Sequence, residues 1–258
     1  MAFKKLFLQI YDITPPVLKK TLYSIHSIGM KLLSPIIVFK INRGKFLNRK
    51  IKNINNISTA IEFAFSFQYL TFSIKVAQVK YEISKLLEIL IDLKPKIILE
   101  IGTAGGGTLY LFTRIIDPEA TIISVDLPGG FFGGGYSEWK IPLYQSFTKK
   151  GQKIKLLRAD SHNPKTFKLV KTILANKKVD FLFIDGDHTY EGVKRDFNMY
   201  SSLVKEGGII AFHDIVEHDP RSSCKVNKFW NELKDDYEYL EIIKDIEQKW
   251  AGIGVIYL

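Results

Sequence analysis

The sequence predicts an α/β fold built on a seven-stranded, mostly parallel sheet, with the last strand antiparallel and helices on both faces. The main observation is that short apolar runs alternate with helical patterns through most of the chain. The runs lie at 97–101, 121–125, 154–159, 179–184 and 208–212, and the helical patterns lie near 107–116, 138–149, 164–175 and 189–203.

A second observation concerns the two final strand candidates, 237–243 and 252–258, which follow a helical pattern near 225–235. Only eight residues separate these strands, and such a gap is too short for the helical crossover that parallel neighbours require. We therefore expect the two strands to pair antiparallel.

The residues before the first strand carry further helical patterns. Helices near 59–72 and 75–93 are expected to cover one side of the sheet, because their apolar residues recur at helical spacing. An amphipathic helix is expected near 15–33, and the Asn-, Lys- and Arg-rich residues 42–58 are expected to form a loop or linker. The chain thus divides into a basic, amphipathic helical extension, 1–58, and a main domain, 59–258.

The net charge of +10 is confined to the N-terminal quarter of the chain. Residues 1–60 contain eleven Lys or Arg and one acidic residue, Asp12, whereas the remainder carries 26 basic and 26 acidic side chains. Such a region favours an anionic membrane surface, nucleic acid or an acidic partner. Packing of this helix on its own domain, or on a second subunit in a homo-oligomer, remains an alternative.

Targeting signals are weak in this sequence. The apolar stretch 22–41 is interrupted by Lys31, Pro35 and Lys40, which makes it a poor transmembrane span, and no signal-peptide cleavage pattern follows it. The one cysteine, Cys224, cannot form an internal disulfide. We therefore expect a cytoplasmic protein, at the inner face of the membrane if the extension binds lipid.

Acidic side chains follow all five parallel strand candidates. They are Glu100, Asp126, Asp160, Asp185 and Asp214. Ligands of open parallel sheets bind at the carboxyl ends of the strands, so these residues mark the expected binding site.

The glycine loop after the first strand distinguishes between cofactors. A dinucleotide fingerprint starting at Gly102 requires glycine at position 104, where this chain has Ala104. The loop instead fits E-x-G-x-x-x-G at Glu100, Gly102 and Gly106, which is the signature of class I S-adenosylmethionine (SAM)-dependent methyltransferases. An NAD(P)-dependent oxidoreductase, or a glycine-rich turn without any ligand, is the alternative at this point.

The segment after the fourth strand is the most specific in the chain. Residues 184–190 read I-D-G-D-H-T-Y, and L-V-K-E-G-G at 203–208 precedes H-D at 213–214. Over roughly 75–258 the chain resembles the methyltransferase family that includes macrocin O-methyltransferase, rhamnosyl O-methyltransferases and cephalosporin-hydroxylase-type proteins. The resemblance implies a Rossmann-like fold, SAM as cofactor, and O-methylation of a sugar, glycolipid or other small polar acceptor.

The resemblance also implies which residues contact SAM. By position, Asp126 would accept hydrogen bonds from the ribose hydroxyls, and Asp160 would face the adenine amino group. The full set of expected cofactor contacts is Glu100, Gly102, Thr103, Gly106, Thr108, Asp126, Asp160, Ser161 and Asp185.

Relatives of this type often bind a divalent cation, and the corresponding positions here are Asp185, His213 and Asp214. Mg²⁺ prefers oxygen ligands, so His213 in place of a carboxylate leaves open whether the site takes Mg²⁺, another divalent cation or none. Without a metal, His213 would orient the acceptor by hydrogen bonding.

Methylation of a hydroxyl requires a proton acceptor, and His188 and Asp187 are the two candidates. The intrinsic pKa of histidine favours His188, whereas Asp187 matches the position proposed for the base in the antibiotic-sugar enzymes of the family. The alternative for His188 is that it caps the following helix. The glycine-aromatic loop 127–136 is expected to close over the cofactor or the acceptor, with a flexible surface loop as the alternative, and the polar segment 216–223 is expected to contact the acceptor.

Two other functional classes remain open from the sequence. A degenerate methyltransferase fold could serve as a non-catalytic, membrane-associated interaction module, and the basic N-terminal region suits nucleic acid. A nucleic-acid base substrate is disfavoured because D-G-D-H at 185–188 replaces the Asn- or Asp-Pro-Pro-aromatic motif of base-amino methyltransferases.

Overall fold

The structure is a computed structural model, and it describes residues 54, 56–69, 72–74, 76–129 and 135–258. The predicted helix near 15–33 and nearly all of the extension 1–58 lie outside these ranges. The domain division at residue 58 therefore stays a prediction. Within the described ranges, no helix is long and apolar enough to cross a membrane.

The first described helix, α1, spans Ile57–Ser66 and is shorter than the helix predicted near 59–72. The chain next forms a two-stranded antiparallel hairpin of β1 (Gln68–Tyr69) and β2 (Phe72–Ser73). Aromatic and β-branched residues in this segment favour extended backbone over helix, which explains the difference. The next helix, α2, covers Lys80–Leu93 and begins later than the predicted residue 75.

A seven-stranded sheet forms the centre of the fold and confirms the predicted topology. Its strands are β3 (Ile97–Ile101), β4 (Thr121–Asp126), β5 (Lys153–Arg158), β6 (Val179–Ile184), β7 (Val204–His213), β8 (Glu238–Ile242) and β9 (Ile253–Tyr257). The spatial order is β5-β4-β3-β6-β7-β9-β8. The last strand, β9, inserts between β7 and β8 and is antiparallel to both.

The connecting helices lie close to their predicted positions, with one exception. They are α3 (Gly107–Ile115), α4 (Ile141–Gln145), α5 (Pro164–Leu174), α6 (Tyr190–Tyr200) and α7 (Val226–Leu233). The long helix predicted over 138–149 is instead a 3-10 turn, Glu138–Lys140, followed by the five-residue α4. The helix predicted over 189–203 ends at Tyr200 and continues as a 3-10 turn, Ser201–Leu203.

The two faces of the sheet pack against separate groups of helices. Side chains alternate along a strand, so Phe181 and Phe183 face α1, α2 and α3, whereas Leu182 and Ile184 face α5, α6 and α7. Phe112 of α3 packs edge-on against both phenylalanines, at 5.6 and 5.8 Å between ring centroids. The central strands β3, β4 and β6 are thereby covered from both sides, whereas β8 at the edge of the sheet is largely exposed.

Candidate active site

Close contact between two strand ends defines the base of the candidate site. Gly102 has φ of +94°, and a Cβ added there would lie 1.9 Å from the backbone oxygen of Asp185. The backbone N–H of Asp185 also donates to the carbonyl of Ile101, at 2.8 Å. Only glycine fits at position 102, because both the backbone conformation and the space exclude a side chain.

An aromatic ring leaves no space for a side chain at the second glycine of the loop. Gly106 has φ of +78° and precedes α3, and a Cβ there would lie 2.5 Å from the ring of Tyr144. The hydroxyl of Tyr144 donates to the carbonyl of Ala104 at 2.8 Å. Packing against Tyr144 therefore explains why glycine occurs at position 106. A contact between Gly106 and the cofactor stays a prediction.

Glu100 lies fully buried beneath this loop. One carboxyl oxygen accepts a hydrogen bond from Thr108 Oγ1 at 2.6 Å, and the other has no hydrogen-bond partner among the described residues. Burial raises the pKa of Glu100 to about 8, against the lowering effect of hydrogen bonds with Thr108 and Ser124. Glu100 therefore holds its proton at neutral pH and acts as a neutral, hydrogen-bonding group.

Asp126, at the end of β4, shapes the glycine loop from the other side. Its Oδ2 accepts hydrogen bonds from the backbone N–H groups of Thr103 at 2.9 Å and Ala104 at 2.7 Å. Its Oδ1 accepts from Leu127 N at 2.7 Å, and the Thr103 hydroxyl contacts that of Ser124. Each carboxylate oxygen can accept more than one hydrogen bond, so this arrangement leaves capacity for ribose hydroxyls.

The acid after β5 lies in a different environment. Asp160 is exposed and accepts a hydrogen bond from His162 N at 2.8 Å, while Asn163 caps α5. The Ser161 carbonyl accepts from the Tyr200 hydroxyl at 2.7 Å, and His162 Nε2 lies 3.3 Å from the buried Asp196 carboxylate. These contacts hold the 160–162 turn against α6. The structure places Asp160 at the strand edge without a described contact to the other acids.

Asp185, His213 and Asp214 converge at the ends of β6 and β7. The His213 Nδ1 atom lies 3.2 Å from Asp185 Oδ1 and 3.3 Å from Asp214 Oδ1. One ligand atom from each of the three residues lies within 4.8 Å of the others, which is a geometry that could hold a metal ion. Both ring nitrogens of the buried His213 lack a hydrogen-bond partner among the described residues. Two carboxylates and an imidazole suit a divalent cation that accepts nitrogen as well as oxygen.

The two candidate bases, His188 and Asp187, make different contacts. His188 Nδ1 contacts Asp214 Oδ2 at 2.5 Å, and its Nε2 lies 3.9 Å from Asp185 Oδ1. The side chain of His188 remains 42% exposed. Asp187 is exposed, and its Oδ1 accepts a hydrogen bond from Thr189 N at 2.9 Å. Thr189 is the N-cap of α6, so helix capping belongs to Thr189, with Asp187 beside it, and His188 is free of this role.

The carboxylates of this cluster strongly favour protonated histidines. Burial lowers the pKa of His213, but the charges of Asp185 and Asp214 outweigh it and raise the pKa to about 10. Burial likewise opposes a charge on His188, yet hydrogen bonding to Asp214 and Cys224 and the Asp185 charge raise its pKa to about 11. Both histidines therefore carry a proton in this arrangement, and the choice of His188 as the base stays a prediction.

Several residues of the site were not predicted from the sequence. Gln78, before α2, donates from Nε2 to Asp185 Oδ2 at 2.5 Å. Cys224 lies beside His188 and Asp214. His218, which the sequence places in the predicted substrate segment, lies 3.2 Å from Asp214 Oδ1 through its Nε2. No motif marks Gln78 or Cys224, because both join the site through contacts distant in the chain.

Glu82 of α2 is a further unpredicted residue, and it anchors the loop between β8 and β9. Its buried carboxylate accepts hydrogen bonds from Lys244 N at 3.1 Å, Gln248 Nε2 at 2.7 Å and Gly252 N at 3.0 Å. In the same loop, Ala251 N donates to Asp214 Oδ1 at 3.2 Å. A charged residue on the apolar face of α2, four residues before Leu86, is the signal that could have revealed it.

Comparison with known proteins agrees with this geometry. Residues 99–215 match a family model described as a methyltransferase domain. These residues are therefore similar to a methyltransferase domain, and the match disfavours the NAD(P)-dependent alternative. The matched residues include the glycine loop, Asp126, Asp160 and the cluster at the ends of β6 and β7.

One curated relative of this chain is an uncharacterized protein of Acanthamoeba polyphaga mimivirus. It is 31% identical over 132 residues, which cover 50% of this chain and 57% of that protein. The chain spans less than two thirds of the length of the curated relatives it matches.

Solved structures share the fold of this chain. One, from Staphylococcus aureus and assigned as a caffeoyl-CoA O-methyltransferase, superposes with a TM-score of 0.51 and 17% identity, covering 84% of this chain and 99% of that one. Another, an O-methyltransferase from Bacillus cereus in complex with S-adenosylhomocysteine (SAH), gives a TM-score of 0.50 at 14% identity, covering 81% and 90%. At these identities the likeness establishes the fold.

The raised pKa of Glu100 predicts how pH affects folding of the cofactor-free protein. Between about pH 4.5 and pH 8, the folded state holds a proton on Glu100 that the unfolded chain releases. The free energy of unfolding should therefore fall as pH rises through this window, by at most about 1.4 kcal/mol per pH unit from this group. Glu100→Gln, which is neutral at every pH, should remove this loss.

Urea unfolding at pH 5, 7 and 9 measures this effect. We expect the variant to gain stability over wild type with each increase in pH. Parallel stability curves for the two proteins would show that Glu100 is ionised in the folded state.

Proposed function

We propose that this protein is an O-methyltransferase that transfers the methyl group of SAM to a hydroxyl of a sugar, glycolipid or other small polar acceptor. The observation that carries this proposal is the convergence of the glycine loop, Asp126 and the His-Asp cluster at one edge of the sheet. The acceptor class is supported by the polar and charged character of the cluster. It is also supported by the resemblance to the macrocin, rhamnosyl and cephalosporin-hydroxylase-type proteins.

In this proposal the cofactor lies along the ends of β3, β4 and β5. The loop 102–106, with Glu100, Thr103 and Thr108, would support the methionine part, and Asp126 would accept from the ribose hydroxyls. Asp160 and Ser161 would contact the adenine, and Asp185 would lie beside the sulfonium. The exposure of Asp160 supports this assignment, because its carboxylate is accessible to a ligand.

The reaction is a direct displacement at the methyl carbon. The acceptor oxygen forms a bond to that carbon as the bond between carbon and sulfur breaks, and SAH leaves. The hydroxyl proton passes to a side chain of the protein. Positioning of the two reactants would supply much of the rate, because the step needs a near-linear arrangement of oxygen, carbon and sulfur.

We propose His188 as the proton acceptor and keep Asp187 as the second candidate. Asp214 holds the His188 ring through Nδ1, which leaves Nε2 directed away from that contact, and the side chain is partly exposed to an incoming acceptor. The carboxylates hold a proton on His188 in the free protein. His188 must therefore first release this proton to solvent, and the neutral ring can then accept the proton of the acceptor hydroxyl.

We further propose that Asp185, His213 and Asp214 bind a divalent cation. The convergence of the three side chains and the unpartnered nitrogens of His213 support this, and Gln78 would orient Asp185. A bound cation would stabilise the acceptor oxygen as it loses its proton. The basic residues 1–58 would attach the enzyme to an anionic membrane surface, on the cytoplasmic side.

Ligand binding tests the proposed function first. Calorimetric titration of the full chain with SAH should show saturable binding, whereas NADH should give no signal. Binding of NADH alone would support the oxidoreductase alternative. Absence of SAH binding, together with no SAM or SAH by mass spectrometry of the purified protein, would support the non-catalytic module.

Substitution of the two base candidates tests the proton transfer. With radiolabelled SAM and an acceptor found by screening polyhydroxylated compounds, His188→Ala should lower kcat by about 10²- to 10⁴-fold. Asp187→Ala should have a smaller effect, because its carboxylate is engaged with Thr189 N. Both variants should bind SAH like wild type. Unchanged turnover in both would refute the assignment, and a loss confined to Asp187→Ala would move the role to Asp187.

The cation is tested by calorimetry on metal-stripped protein, without any acceptor. Mn²⁺ should bind more tightly than Mg²⁺, because His213 supplies nitrogen. His213→Ala should abolish Mn²⁺ binding, and His213→Asp should shift the preference towards Mg²⁺. Asp219→Asn is the matched control, since Asp219 is an exposed carboxylate paired with Arg221. Equal Mn²⁺ binding by wild type and His213→Ala would exclude this site.

A further inference from the structure

Tyr136 carries a buried polar atom that packing alone does not explain. The residue is only 2% exposed, and its hydroxyl has no hydrogen-bond partner among the described residues. Buried polar groups in folded proteins are normally paired, and an unpaired one points to a missing partner such as a ligand. The Tyr136 hydroxyl is therefore a candidate for a hydrogen bond with a bound ligand.

The backbone of Tyr136 is fixed between the ends of β4 and β5. Its N–H donates to the carbonyl of Leu127, the first residue after β4, at 3.2 Å. Its carbonyl accepts from Nε of Arg158, the last residue of β5, at 3.0 Å. The side chain is therefore held rigidly at the strand ends next to Asp126, where the ribose of the cofactor is proposed to lie.

The hydroxyl of Tyr136 differs from that of its neighbour. The rings of Tyr136 and Tyr144 pack edge to face, with centroids 5.0 Å apart. Tyr144 uses its hydroxyl to hold the carbonyl of Ala104, and Tyr136 has no such engagement. Both tyrosines line the glycine loop, but only Tyr136 has an uncommitted donor there.

The surroundings of Tyr136 keep its hydroxyl protonated. Burial raises the pKa of Tyr136, the charge of Asp126 raises it further, and Arg158 lowers it. The phenol therefore keeps its proton and is a donor at neutral pH. The Arg158 guanidinium lies 5.9 Å from the centre of the Tyr136 ring, and Arg158 is the register partner of Asp126, so the ring lies close to the strand end that carries Asp126.

We propose that the Tyr136 hydroxyl donates a hydrogen bond to a ribose oxygen of SAM, beside Asp126. A ribose hydroxyl both donates and accepts, so an acceptor such as Asp126 and a donor such as Tyr136 form a complementary pair around it. The inference rests on the proposed function and names a cofactor-binding residue outside the expected set. It also explains why a tyrosine occurs at a position where phenylalanine would fill the same space.

Calorimetric titration of the full-length protein with SAH tests this inference. Tyr136→Phe keeps the ring and removes only the donor, and we expect its affinity for SAH to fall about five- to tenfold. Unchanged or tighter SAH binding by Tyr136→Phe would overturn the inference. Tighter binding would mean that the hydroxyl obstructs the cofactor.

Tyr110→Phe is the matched control. Tyr110 is also fully buried with an unpartnered hydroxyl, but its ring lies in the core between Phe63 and Phe147, with Arg114 above it. Loss of this hydroxyl should leave SAH affinity unchanged. An equal loss of affinity in both variants would show a general effect of removing a buried hydroxyl and would overturn the specific assignment.

A second ligand tests whether Tyr136 contacts the ribose or the amino-acid part of the cofactor. 5′-Methylthioadenosine contains the nucleoside but lacks the α-amino and carboxylate groups of the amino-acid part, and its affinity can be measured by competition with SAH. Tyr136→Phe should weaken it by the same factor as SAH. A loss seen with SAH alone would exclude the ribose contact. Failure of wild type to bind either ligand would instead refute the proposed function.

Discussion

Gly102 and the backbone of Asp185 are in direct contact at the centre of the sheet, where β3 and β6 lie side by side. The chain order reverses at this pair, since β4 and β5 lie on one side and β7 on the other. Ligands of open α/β sheets bind in the crevice at such a reversal. The contact brings the glycine loop and the His-Asp cluster within reach of one ligand, so both halves of the site depend on residue 102 lacking a side chain.

The carboxyl groups at the strand ends are stabilised in two different ways. On the cofactor side, Glu100 is neutralised by a proton and Asp126 is satisfied by backbone N–H groups. On the acceptor side, Asp214 is surrounded by His188, His213 and His218, whose interactions hold its pKa well below the usual range despite burial. On the cofactor side the carboxylate of Asp126 is thus stabilised by backbone hydrogen bonds, whereas on the acceptor side Asp214 is stabilised by histidines.

Sequence patterns predicted those features of the fold that depend on residues close together in the chain. The run at 179–184 is apolar except for Asp180, as expected for a doubly covered strand, and its limits coincide with β6. The helix predicted over 59–72 was too long, because periodicity does not detect the hairpin after Phe67. Strand-end acids could be predicted, since the topology places them together. Gln78 and Cys224 could not, because only the tertiary fold brings them to residues 185 and 188.

The anchoring of the β8–β9 loop by Glu82 has a consequence for divergence of the enzyme. Two of the three groups that Glu82 holds are peptide N–H groups, which every residue except proline can provide. Ile246 and Trp250 on the same loop are 67% and 44% exposed and contribute little to the core. Mutations at these two positions can therefore accumulate without loss of the scaffold, in a loop whose Ala251 contacts Asp214. Sequence change in this loop is thus compatible with an unchanged fold.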